Sequence, residues 1–165
     1  QRGKILRDHG MSRDKKYWHI YPGFNFRMTN LQAAIGVAQF EKLNFFIRNK
    51  INIANEYKKN LRGFKNIVLP FEEKWAKHSY WLYTVLIKNI SKNTRDKVIR
   101  KLNDAGIEAR PMFYPASDMK IYKKYLNKNS KFKNISYRGI SLPSFVGLKK
   151  NQINSICKKL KELII

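Results

Sequence analysis

A single cysteine, Cys157, stands in 165 residues, so no internal disulfide framework is possible and a reducing compartment fits. Long apolar runs are also missing. Nothing approaches the roughly 18 residues of a membrane span. Residues 1–20 are polar and charged with no apolar core of a secretory leader, so none is expected within them. Metal-ligand spacing is lacking as well. His9, His19 and His78 stand apart, and each reads as an ordinary surface or loop histidine. The glycines form no phosphate-binding loop, no serine sits in a nucleophile elbow, and the acids offer no evident acid–base pair. Acids are scarce altogether, eleven against 35 Lys and Arg, which gives a net charge of +24.

That charge invites a nucleic-acid reading. The pattern argues against a specific one. The cations are mostly lysines spread over every expected element. From Met119 to Lys161 there are twelve Lys or Arg and no acid, alternating with Asn and Ile through loops and helices alike. Such a surface attracts polyanions without choosing among them. With 43% hydrophobic residues, the chain can still bury one ordinary core.

Residues 1–28 hold Gly3, Gly10, Pro22 and Gly23 and no sustained periodicity, which predicts a short leading element and then a long loop. Loops of that length are usually functional or held by a partner. Thr29 and Gln32 have capping-box spacing. A helix of about thirty residues is expected to follow, with Leu31, Ala34, Ile35 and Ala38 and later Leu43 to Leu61 at helical spacing, closed by Gly63. Its first half is small and apolar, suited to packing against its own domain, a missing element or a second subunit. Strands are expected at 67–69, 79–87 and 140–143. Helices are expected at 95–105 behind a Thr94 cap, briefly at 117–126, and at 150–163 with Cys157 on the buried face. Residues 127–134 read as a Lys/Asn loop. Pro111 and Pro115 are expected to forbid regular structure in "RPMFYP". The result is α+β: a small sheet with helices on one side.

Two half-sites remain. "GFNFR" offers an amide in Asn25 and a guanidinium in Arg27, a pair suited to a phosphate. Its plainer role is to brace the helix start. "ARPMFYP" offers Arg110 and Tyr114 on a rigid loop. "LRDHG" at 6–10, "GFNFRMTNLQAAIGVAQFEKL" at 23–43 and "ANEYKKNL" at 54–61, followed by "GIEARPMFYP" at 106–115 and "SLPSFVGL" at 141–148, resemble the sugar aminotransferases of the DegT, DnrJ and StrS type. The likeness spans essentially the whole chain. "RPMFYP" looks most like the perosamine synthase branch, which aminates 4-keto-6-deoxy nucleotide sugars. A histidine that this branch often carries shortly after "YP" is replaced here by Ser117.

The resemblance implies the type I fold of pyridoxal phosphate enzymes, of which this chain would be the C-terminal portion. It divides the chain into the end of the large domain with an active-site loop (1–28), a connecting helix (29–62) and a small α+β domain (63–165). It implies a cytoplasmic homodimer with shared active sites, taking glutamate and a nucleotide sugar, with no specific nucleic-acid partner and no membrane. By motif, Asn25 would donate to the cofactor phosphate of the neighbouring subunit and Arg27 would support it or brace the loop, with Phe24, Phe26 and Met28 anchoring the loop by burial. Tyr17, Tyr21, Arg110 and Tyr114 would border the substrate. The Schiff-base lysine would lie upstream of Gln1, leaving this chain alone inactive. A non-catalytic remnant that dimerises and a basic polyanion-binding module are the alternatives.

Overall fold

The computed structural model describes residues 1–125 and 132–164. Within them the chain forms two compact units, Gln1–Leu43 and Asn44–Ile165.

The first unit opens with helix α1 (Arg2–Arg7) and continues as a loop folded back on itself. Asp8 pairs with Asn25 and Met11 with His19 in isolated antiparallel bridges. The His9 N–H donates to the Phe24 carbonyl at 3.0 Å, and the Phe24 and Phe26 N–H groups donate to Leu6 and Arg7 at 2.9 Å each. The two glycines of the first two motifs meet where the loop crosses itself. Gly10 has φ +67°, and a Cβ there would overlap the Tyr21 carbonyl; a Cβ on Gly23 would overlap the Gly10 nitrogen. Only glycine permits this backbone-on-backbone approach. Helix α2 (Asn30–Glu41) follows, and its Thr29–Gln32 capping box is formed as the spacing requires, with Thr29 N donating to Gln32 Oε1 at 2.9 Å. No residue of α2 is buried.

The helix expected over 29–62 is present as α2 and α3 (Leu43–Leu61), with Lys42 between them at φ −95°, ψ 4°. Helix α3 presents Ile53, Ala54, Tyr57 and Leu61 to the core of the second unit. The sheet comprises β1 (Ile67–Val68), β2 (Tyr83–Ile87), β3 (Arg110–Pro111) and β4 (Gly139–Leu142), all antiparallel in the order β1-β2-β4-β3. Val85 stands opposite Ile140 and Tyr83 opposite Leu142. Strand side chains alternate between faces. Tyr83, Val85, Ile87, Ile140 and Leu142 therefore share one face, and they enter one core with α3, α4 (Lys92–Asp104) and α6 (Lys150–Leu163). Tyr57 and Tyr83 stack at its centre with ring centroids 4.6 Å apart. The α+β class expected from the sequence is the observed one.

Several boundaries differ from the sequence reading. Strand β2 starts at Tyr83 because Tyr80 takes a left-handed φ of 51° and donates its N–H to His78 Nδ1. Helix α4 is capped by Ser91, whose hydroxyl accepts the Thr94 N–H at 3.1 Å; Thr94 lies inside the helix. Pro111 does join the sheet, because β3 is an edge strand where a missing N–H costs no ladder bond. Residues 116–118 and 120–125 form 3₁₀ turns instead of an α-helix. Most of the loop expected at 127–134 lies outside the described residues, while α5 occupies Phe132–Ser136.

Candidate functional site

The residues singled out in the sequence fall in both units, and each unit forms its own candidate half-site. In the first, Asn25 and Arg27 are exposed on the loop ahead of α2. The Asn25 side-chain oxygen accepts the Arg27 backbone N–H at 3.4 Å. The Arg27 guanidinium stands 3.7 Å from Asp8 Oδ1, a loose and solvated pair. The loop thus displays an amide donor and a guanidinium that are barely committed, a donor set that fits a dianionic phosphate. The anchoring expected of Phe24, Phe26 and Met28 is not found among the described residues. Phe24 and Phe26 stack on each other at 5.1 Å, yet all three stay exposed, because this unit has no core to receive them.

Tyr17 sits at φ 60° and is 83% exposed. Tyr21 lies under the Arg2 guanidinium, 5.2 Å from its ring centroid. Two of the histidines do local structural work here. His9 adopts a left-handed φ of 59°, and its carbonyl is 2.8 Å from His19 Nδ1.

In the second unit Arg110 and Tyr114 stand on the same segment but face different surroundings. Arg110 pairs with the exposed Glu108, Nε to Oε1 at 3.0 Å. Both line a cleft of about 600 Å³ that also takes in Ser141, Ser144, Asn151 and Ile156. Tyr114 is held against α4: its hydroxyl oxygen accepts from Arg95 Nη2 at 3.3 Å, and Lys92 Nζ lies 5.1 Å from its ring centroid. Ser117 follows in the 3₁₀ turn.

Two residues that position this half-site escaped the sequence reading. Lys50 donates its ammonium to the carbonyls of Trp81 and Ser144 and to the Ser144 hydroxyl, tying the approach to β2 to the exit from β4. Partial burial lowers its pKa. Arg95 is the second. A cation in the first turns of a helix sits at the wrong end of the dipole. That mismatch was the available signal.

The fold matches known aminotransferases. Helicobacter pylori PseC, an aminotransferase of pseudoaminic acid biosynthesis, superposes with a TM-score of 0.86 at 22% identity, over 98% of this chain and 44% of that one. The pyridoxal phosphate form of the "putative sugar aminotransferase Spr1654" from Streptococcus pneumoniae superposes with a TM-score of 0.85 at 21% identity, over 97% and 42%. The chain therefore has the fold of the matching part of these aminotransferases.

The model of the DegT/DnrJ/EryC1/StrS aminotransferase family matches residues 1–161, and the chain belongs to that family. It is 37% identical over 153 residues to the GDP-perosamine synthase of Escherichia coli O157:H7, covering 93% of this chain and 41% of that protein. It is 38% identical over 158 residues to the Vibrio cholerae GDP-perosamine synthase, covering 94% and 43%. The chain spans about two-fifths of the length of these relatives. Aminotransferases of this family use pyridoxal 5′-phosphate.

Proposed function

We propose that this chain is the C-terminal part of an aminotransferase that moves an amino group from glutamate to a GDP-linked 4-keto-6-deoxy sugar, for surface polysaccharide synthesis. The observation that carries the reading is 37–38% identity to GDP-perosamine synthases along more than nine-tenths of the chain. Bound pyridoxal phosphate supplies the electron sink and the temporary carrier of the amino group. The residues of this chain bind and orient around it.

Asn25 Nδ2 and the Arg27 guanidinium hold the cofactor phosphate of the partner subunit, and the Gly10–Gly23 crossing keeps the loop in register. Tyr17 and Tyr21 border the sugar nucleotide. Arg110 and Tyr114 approach it from the small domain, Arg110 as a charge for the diphosphate and Tyr114 as a hydroxyl donor. Residues 1–28 end the large domain, 29–62 connect, and 63–165 form the small domain. The whole protein is a cytoplasmic homodimer. The lysine that carries the cofactor lies outside these residues, so the 165-residue chain alone does not turn over. Specific nucleic-acid binding has no part in the function.

Amino transfer tests this directly. The longest translated protein containing these residues, given pyridoxal phosphate, glutamate and a GDP-linked 4-keto-6-deoxy sugar, is expected to yield the 4-amino sugar nucleotide and 2-oxoglutarate in equal amounts. Consumption of the keto sugar without 2-oxoglutarate and the 4-amino product would sink the reading.

A further inference from the structure

Arg95 is wholly buried, 0% exposed, within the first turns of α4. A guanidinium removed from water is costly unless its donors are met. Here four bonds engage four of its five N–H donors. Nε donates to Asp96 Oδ1 at 2.7 Å. Nη1 donates to the Ser136 carbonyl at 3.2 Å and to the Gly139 carbonyl at 2.9 Å. Nη2 donates to the Tyr114 hydroxyl oxygen at 3.3 Å. The planar fork thereby joins three separate segments: α4, the turn into β4, and the loop that carries Tyr114. A lysine, a point charge on a flexible stem, could not reach all of them.

The same cluster restrains the Tyr114 ring. Lys92 Nζ lies 5.1 Å from its centroid and 5.4 Å from that of Tyr137. Tyr137 meets Tyr114 edge-on at 6.2 Å and donates its hydroxyl to Asp118 Oδ2 at 2.9 Å. The consequence is directional. With the Tyr114 oxygen accepting from Arg95, its single O–H hydrogen is left to donate elsewhere. Tyr114 as a residue is 37% exposed.

We propose that Arg95 is a positioning residue, which holds the Tyr114 hydroxyl as a fixed donor toward the sugar nucleotide. The inference rests on the aminotransferase reading and deepens it by naming what sets the geometry of a substrate contact.

The test follows the two half-reactions separately by cofactor absorbance in the longest translated protein containing these residues, first with glutamate and then with a GDP-linked 4-keto-6-deoxy sugar. Tyr114→Phe is expected to lower kcat/KM for the sugar half about tenfold and to leave the glutamate half within about twofold. Arg95→Gln is expected to do the same, with Arg95→Lys recovering only part of the loss. The double variant should be no worse than about twofold below Arg95→Gln, since both changes remove one interaction. Multiplying losses in the double variant, or equal slowing of both halves by Arg95→Gln, would overturn the proposal while leaving the aminotransferase reading intact. A sugar half indifferent to Tyr114→Phe would overturn it too. Absence of both half-reactions in the parent protein would overturn the reading and the proposal together.

A readout free of turnover covers the case in which Arg95→Gln fails to fold. In the longest translated protein containing these residues, the Arg95 guanidinium is expected to give slowly exchanging NMR signals that shift on Tyr114→Phe. Signals unmoved by that change would overturn the contact itself.

Discussion

Cys157 lies on the buried face of α6, and burial pushes its thiol up to about 12 from an ordinary value of 9.0. Tyr57 and Tyr83 are raised for the same reason, removal of the phenolate from water. A raised acid keeps its proton in the folded state while the unfolded chain loses it. Stability from these groups is therefore complete below pH 9 and falls as pH climbs from 9 toward 12. The expected observation is a melting temperature that declines across that window. A thiol reagent at pH 8 should find almost no reactive sulfur in the native chain and one per chain in denaturant. Tyr57 also donates its hydroxyl to the Pro143 carbonyl at 2.8 Å. Tyr57→Phe keeps the stack on Tyr83 and should cost about 1 kcal/mol in chemical denaturation. At this scale the buried character of Cys157 was legible from its place among Ile153, Ile156 and Leu160. Arg95 was not, because its partners at Tyr114, Ser136 and Gly139 are brought near only by the sheet.

Among the elements, what could be read locally was read well. The Thr29–Gln32 box, the strand residues of β2 and β4 and the amphipathic face of α6 all follow from spacing within a few residues. Boundaries shifted where a distant contact, or a second local hydrogen-bond partner, competed with the regular element. Tyr80 leaves the strand region at a left-handed φ with its N–H on His78 Nδ1, and its hydroxyl is held by Glu72 and Lys58. Pro111 becomes part of a strand because β4 happens to need an edge there. The cap of α4 moved from Thr94 to Ser91 because two hydroxyls stood three residues apart, either able to cap. The helix 29–62 offered no local stop at Lys42, and none was foreseen. The capping box gives a direct check. Thr29→Ala should cost about 1 kcal/mol, and amide exchange at Leu31–Ala33 should quicken about fivefold. Unchanged exchange would mean that the first turn of α2 is held by something other than its cap.

On the scale of the whole molecule, α2 is the element least explained by its own chain. Leu31, Ile35, Val37 and Phe40 are each more than half exposed. A helix apolar on every side needs cover. With a net charge of +24, copies repel one another at low ionic strength. Sedimentation of the 165-residue chain should therefore show self-association that strengthens with added salt and weakens in Ile35→Glu. Nucleic-acid binding, by contrast, should fade steeply with salt and discriminate no sequence. In the candidate site, the amide of Asn25 and the guanidinium of Arg27 are local properties that the sequence carries, whereas the loop crossing at Gly10 and Gly23, which brings two distant motifs together, is not.

The most direct measurement is the absorbance of pyridoxal phosphate on the longest translated protein containing this chain. The expected result is a cofactor band that bleaches when glutamate is added and is markedly weakened by Asn25→Ala. A protein that binds no cofactor, or a band that glutamate leaves untouched, would contradict the central claim that these residues serve a sugar aminotransferase.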